Sequence, residues 1–429
     1  MIENFNVKLD DDYLLREIPC PHGLKEKWVG AMVDGSGRGE NYSAAIRLDF
    51  SSGCDTEKLL HTIIKVLSLN PILAGQFKII NKKLVTFVPS SEALYISLYN
   101  KIKSQITVEL NDEIFKKSTI HLKSPENVGL RIAYSKKEVG TSVWIGFWTF
   151  TCDGISIDIL VKDIINMYNN EEINENNNWI KIINSRDFTK VKNTLNDSEI
   201  YSQKGPYGVD NVRNTPINSK GNCKNIDFHT NILTKDINLI AKNLRITPFA
   251  LMFGVFQNAI IHLSNASRIV TGVPYINRIS TEESECIGPF SNTIPILTER
   301  KSTNQISKEF LKHTQKNLLI ASKRQNINTN ELYPKGITPR NVDYVLPFPQ
   351  IFNAWNSQLS GKRIMLNNSE SLKLHLIPNN TTRSGFELTL NSNSSTISGH
   401  IDVDVDAYGS LILDFQKKMK RDLKKLISN

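Results

Sequence analysis

Cysteine is scarce in this chain of 429 residues: five, at Cys20, Cys54, Cys152, Cys223 and Cys286, with no CxxC spacing. An odd, scattered set fits free thiols in a reducing compartment and argues against a disulfide framework or a structural zinc site. Long apolar runs are missing too. The most apolar stretch, Phe249 to Leu263, is interrupted by Gln257 and His262 and is too short and polar to span a bilayer. The start, MIENFNVKLDDDY, lacks the basic-then-apolar pattern of a secretory leader. No phosphate-binding loop, dinucleotide fingerprint or HExxH occurs. No metal, nucleotide or flavin is therefore expected, and the expected location is the cytoplasm.

Lys plus Arg number 52 against 43 for Asp plus Glu, a formal net charge of +9. That favours acidic partners. The basic residues are scattered, without finger spacing or interleaved aromatics, so nucleic acid is not expected. Hydrophobic residues at 40% and charged residues at 22% are those of an ordinary globular chain, and the length suits two or three domains.

Strand and helix patterns alternate along the chain. Tyr42 to Phe50 and Ser142 to Thr151 read as strands; Ile79 to Val88 and Leu130 to Tyr134 as shorter ones. Thr56 to Leu69 has a helical period, and Asn70-Pro71 ends it. A helix from Ser156, its expected cap, runs to Met167. The polar run Asn169 to Asn178 reads as a linker. It divides a first domain, residues 1–175, from a second, residues 176–429. There a strand (Asn225 to Leu233) leads to helices at Thr234 to Asn243, capped by Thr234, and at Pro248 to Asn265. A strand (Ile269 to Pro274) and a helix (Ser307 to Arg324) follow. Late strands are expected at Gln350 to Trp355, Phe386 to Leu390 and Gly399 to Val405. The closing helix, Tyr408 to Ser428, has one apolar face and one Lys-rich face read as solvated surface.

The chemistry-bearing residues gather where the buried strand ends: Phe147-Trp148-Thr149-Phe150-Thr151-Cys152-Asp153-Gly154-Ile155-Ser156. Gly154 would allow a tight strand-to-helix turn. This segment resembles the HHxxxDGxS signature of nonribosomal peptide synthetase condensation domains, with Asp153, Gly154 and Ser156 in place. Ile287-Gly288-Pro289-Phe290-Ser291-Asn292-Thr293 is similar to that family's IGxFVNT segment. Ile269 to Pro274 with Arg278 resembles its IVxGxPxxxR, and Thr247-Pro248 its Thr-Pro helix. Leu130-Arg131-Ile132, Phe352-Asn353 and, more weakly, Asn70 to Phe77 resemble other family segments in the same order.

The resemblance implies an α/β fold of two chloramphenicol acetyltransferase-like lobes in a V around a central tunnel. It implies amide formation between a carrier-bound acyl thioester and an amine. No bound cofactor is implied; substrates come on phosphopantetheine arms of acyl or peptidyl carrier proteins, or as a small amine, to a free-standing monomer. Asp153 and Arg278 would form a structural pair between the lobes. Ser291, Asn292, Asn353 and Trp355 would line the substrate path. Both signature histidines are absent: Trp148 and Thr149 occupy their positions, and none of the eight histidines lies in the motif. Thr has no usable pKa as a base. An α-amine, titrating near ~8, is already partly neutral at pH 7 and attacks if held in place. Amide formation is thus the reaction best able to survive the loss, with Thr149 orienting the amine or donating to the oxyanion. A non-catalytic docking module and an acyl-CoA-dependent acyltransferase are the alternatives. Cys152 reads as a buried thiol rather than a nucleophile, and Trp148 as either core packing or a narrowing of the tunnel.

Overall fold

The computed structural model describes residues 5–9, 16–19, 28, 42–81, 83–105, 110–118, 127–171, 173, 181–182, 223–264, 266, 268–299, 306–326, 350–354, 357, 359–366, 370–378, 381–382, 384–391 and 394–428. In chain order the elements are β1 (Arg16–Pro19), β2 (Ser43–Ser51), α1 (Thr56–Ser68), β3 (Gln76–Ile80), β4 (Lys83–Val88), α2 (Ser91–Lys103), α3 (Asp112–Lys117), β5 (Arg131–Lys137), β6 (Gly140–Trp148) and α4 (Gly154–Tyr168). Then come β7 (Cys223–Leu233), α5 (Thr234–Leu244), α6 (Pro248–Ser264), β8 (Arg268–Tyr275), α7 (Thr281–Ser284), β9 (Asn292–Glu299) and α8 (Lys308–Ser322). Last are β10 (Gln350–Asn353), β11 (Arg363–Met365), β12 (Ser371–Ile377), β13 (Phe386–Asn391), β14 (Thr396–Asp404), α9 (Val405–Tyr408) and α10 (Ile412–Ser428).

By its contacts the chain forms two compact units. The first is Met1–Arg186 with Arg278–Phe290 and Ser357–Asn379; the second is Asp187–Asn277, Ser291–Asn356 and Asn380–Asn429. Past the expected boundary at residue 175, the chain therefore returns to the first unit twice. Backbone pairing explains the later return, since β12 pairs with β2 from Ala45 to Phe50.

The first unit holds an antiparallel sheet in the order β11-β12-β2-β6-β5 and a small sheet β1-β4-β3. β2 and β6 pair in register from Ser43↔Trp148 to Ser51↔Gly140. Gly140 takes φ +138 at the turn into β6, a conformation that side chains resist. β6 is buried on both faces, which is why its sequence is β-branched and aromatic instead of alternating. Helix α1 starts because the Asp55 carboxylate accepts from the Glu57 and Lys58 N–H groups at 2.9 and 3.2 Å. It packs against α2 and α4.

The second unit is a sheet in the order β7-β14-β13-β10-β8-β9. β10 runs parallel to both neighbours; the other pairs are antiparallel. α6 is apolar nearly all round and buried between neighbours, as an interior helix must be. Phe253, Phe256, Phe352, Phe386 and Phe415 form its aromatic core. In α10, Ile412, Phe415, Met419 and Leu423 are buried, while Leu411, outside the helix, is partly exposed. The start of α5 differs from expectation: the Thr234 hydroxyl donates to the Ser394 carbonyl at 2.7 Å, and no side chain caps the helix. The linker expected at Asn169 to Asn178 lies mostly outside the described residues.

Candidate active site

The site is built from the end of β6 upward. After Trp148 the chain turns sharply. The Thr149 N–H donates to the Tyr42 carbonyl at 2.7 Å, and the Thr151 N–H and hydroxyl both donate to the Trp148 carbonyl, at 3.0 and 2.9 Å. Trp148 is fully buried in a cluster with Trp28, Tyr42, Phe77 and Phe150. Its Nε1 donates to the Asn127 carbonyl at 2.9 Å. Gly129 makes the room: a Cβ there would overlap the indole. Of the two expectations for Trp148, core packing describes its surroundings. Thr149 is half-buried, and its hydroxyl oxygen is shielded from solvent.

The helix that follows starts one residue after Asp153, not at Ser156. Asp153 is extended and its Oδ1 accepts from the Ser156 N–H at 2.9 Å. The carboxylate caps, because it is the group able to reach the free N–H groups of the first turn. Gly154 opens α4 and is not among the glycines of positive φ; the expected special turn conformation is absent.

Asp153 and Arg278 meet at 2.8 Å, with side chains only 3% and 2% exposed. Asp153 Oδ2 also accepts from the Phe290 N–H at 3.1 Å. Arg278 Nη1 donates to the carbonyls of Glu283 and, at 2.6 Å, Cys286, and its guanidinium stacks 4.3 Å above the Phe290 ring. Ser156 Oγ lies 2.8 Å from both Asp153 Oδ1 and the Gly288 carbonyl, donating to one of them. It accepts from the Gly288 N–H at 3.0 Å and from Arg278 Nη2 at 2.9 Å. Ser156 is thus the hub that ties residues 278–290 to the start of α4. The resemblance implied a pair between lobes; by contacts both Asp153 and Arg278 fall within the first unit.

Cys152 is buried, and burial followed by the Asp153 charge raises its pKa well above the ordinary thiol value. It stays protonated and is a poor nucleophile. Cys286 behaves alike, with burial pushing its thiol to about 12.

The remaining expected residues belong to the second unit. Asn292 opens β9 and its Nδ2 donates to the Gln325 carbonyl at 2.9 Å; Ser291 beside it is half-buried. Asn353 ends β10, two strand positions away in the sheet. Trp355 lies outside the described residues. Gly129 and Asn127, which seat Trp148, were not singled out from the sequence; their contact comes from a separate segment and carries no motif.

Among the described residues, no group of three or more His, Cys, Asp or Glu side chains is placed to hold a metal. No single described helix is long and apolar enough to cross a membrane.

A family model for the condensation domain matches residues 28–429. Bacitracin synthase 1 of Bacillus licheniformis is 23% identical over 191 residues, covering 41% of this chain and 4% of that protein, so the chain matches a small fraction of that relative's length. Among solved structures, the condensation domain of the monacolin K polyketide synthase MokA superposes with a TM-score of 0.73 at 13% identity, covering 97% of both chains. A mutant starter condensation domain of rhizomide synthetase, in complex with C8-CoA and Leu-SNAC, gives 0.72 at 11% identity over 96% of this chain and 95% of that one. The α/β architecture is therefore the chloramphenicol acetyltransferase-like one of these structures, and with its family model spanning nearly the whole sequence, the chain belongs to the condensation-domain family.

Proposed function

We propose that this chain is a condensation-type acyltransferase that forms an amide between a carrier-bound acyl thioester and an amine, without a catalytic histidine. The observation that carries the reading is the intact support of the site. Asp153, Ser156 and Arg278 hold the start of α4 through buried, charge-assisted hydrogen bonds, and Thr149, half-buried, directly follows β6. The neutral amine nitrogen bonds to the thioester carbon. The C–S bond then breaks, and the departing thiolate takes up the proton that the nitrogen releases. Thr149 orients the amine or donates a hydrogen bond to the oxyanion; positioning, not base catalysis, supplies the acceleration. Acidic carrier proteins are the proposed partners.

A second reading has its own observation. Between Trp148 and Ser156 the ionisable side chains are Cys152, held as a thiol, and Asp153, committed to its pair. A module that only docks carriers or a tailoring enzyme would need no more. Intact-mass spectrometry of acyl-carrier protein with a panel of amines separates the two, with acyl-CoA as a parallel donor. Amide product above the uncatalysed rate, reduced about tenfold or more in Thr149→Ala as loss of one oxyanion donor implies, is the expected result. No product with any donor favours the docking module. Product from acyl-CoA alone moves the donor to CoA.

A further inference from the structure

β8 and β9 pair as far as Tyr275↔Asn292. Between those ends the chain makes an excursion, Arg278–Phe290. It carries Arg278, Gly288 and Phe290, which bond Asp153 and Ser156. At the exit from β8 the backbone turns: Asn277 takes φ +52, in the left-handed region, where asparagine is enriched several-fold among residues other than glycine. Asn277 is 5% exposed and lies past the last pair of its strand, so its N–H needs an acceptor from elsewhere in the protein.

Gln325, just past the end of α8, supplies that acceptor. Its Oε1 accepts from the Asn277 N–H at 3.0 Å, and its main-chain carbonyl accepts from Asn292 Nδ2 at 2.9 Å. One residue holds both stems of the excursion, the exit from β8 by its side chain and the entry to β9 by its backbone. Carbonyls at a helix end are free to accept from outside. Within α8, the Leu318 carbonyl accepts from the Tyr275 hydroxyl at 2.9 Å, so the helix grips the same strand end a second time. The excursion is itself braced. Ser280 Oγ accepts from the Glu283 N–H at 3.2 Å, Glu283 Oε2 accepts from the Ile279 N–H at 2.6 Å, and Arg278 donates to the Glu283 and Cys286 carbonyls. A segment braced in this way moves as one piece, so the place of its stems decides the place of Arg278.

We propose that Gln325 is a positioning residue: by clamping both stems it keeps Arg278 on Asp153 and Ser156. Its effect on rate rests on the acyl-transfer reading; its effect on the excursion does not.

Hydrogen exchange read by mass spectrometry, on the full chain, tests it. In Gln325→Leu the amides of residues 278–290 should exchange on the order of fivefold faster, the size of one net hydrogen bond, while peptides from β7 and β14 keep their rates. Gln325→Glu keeps an acceptor oxygen and should exchange as the wild type does. In the acyl-transfer assay Gln325→Leu should lower kcat with KM for the acyl-carrier protein unchanged. A second pair decides if Gln325→Leu does not fold. Asn277→Val and Asn277→Gly both lose the asparagine side chain, but only valine resists positive φ, so the valine variant should exchange faster across 278–290 than the glycine one. Unchanged exchange there in Gln325→Leu overturns the proposal. So does equal acceleration throughout the second unit's sheet, a glutamate variant as fast as the leucine one, or an undiminished kcat in Gln325→Leu. An inactive wild type removes the acyl-transfer reading and leaves the exchange rates to decide whether Gln325 holds the stems.

Discussion

Arg278 reaches a carboxylate, a hydroxyl and two carbonyls from one planar group, so removing it strands partners that have no route to water. Arg278→Ala should cost about 3–5 kcal/mol, the range for breaking one side of a buried pair, read as a lower urea midpoint at constant slope. Arg278→Lys should fall between, because an ammonium lacks the planar fork. A midpoint shift under ~1 kcal/mol for Arg278→Ala would sink the idea that this pair organises the site. Trp148 makes a related argument. With its indole seated over Gly129 and hydrogen-bonded to Asn127, Trp148→Ala should cost about 3–5 kcal/mol as an aromatic truncation. Restoring the family pattern with Trp148→His and Thr149→His should then destabilise the chain without raising amide formation. A faster double variant, in the acyl-transfer assay, would mean a decayed site and not an adapted one. Both residues could be picked out from the motif. What Trp148 touches could not, because Asn127 and Gly129 precede β5, 21 residues or fewer before Trp148, and carry no motif of their own.

At the scale of elements, most of the strands and helices flanking the site follow from period and punctuation. The departures have local causes. The α4 cap shifts from Ser156 to Asp153 since the carboxylate bonds the first turn while the hydroxyl is drawn to Gly288. β9 was not expected beside Pro295, yet it is an edge strand, where a missing N–H is tolerated. β12 was missed because its partner β2 lies far away in sequence, and α2 because Ile96 and Tyr99 face solvent and blur its amphipathic pattern. Within α4, burial lifts the Asp163 carboxyl to about 6. Its folded pKa therefore exceeds the unfolded value of ~3.9, so the folded state binds the proton more tightly. The cost of the charge is complete above pH ~6 and fades as pH falls towards ~4. Asp163→Asn should raise the melting temperature at pH 8, with a gain that shrinks between pH 7 and pH 5. An equal gain at both ends would remove Asp163 as the cause.

For the whole molecule, the +9 charge makes a prediction about its proposed partners. A net positive protein meets an acidic carrier through long-range attraction, which speeds encounter more than it slows escape. Raising salt from ~50 to ~500 mM shrinks the screening length to a few ångströms. The association rate should then fall by roughly tenfold or more within the span of steered encounters, with a smaller change in dissociation, as read by stopped-flow fluorescence with a labelled acyl-carrier protein. Net charge does not say which surface is used. The closing helix α10 is the obvious candidate, since Lys417, Arg421, Lys424 and Lys425 are exposed on one helix. Its Ile412, Phe415, Met419 and Leu423 are spent on the second unit's core, however, and its buried Lys418 is paired with Asp422 at 2.5 Å. That leaves the exposed lysines as a solvated rim. Reversing Lys424 and Lys425 to Glu should change stability by less than ~0.5 kcal/mol, as surface substitutions do. It should also leave most of the salt dependence in place. If the double reversal abolishes the salt dependence, α10 is the docking surface and the solvated-face reading fails.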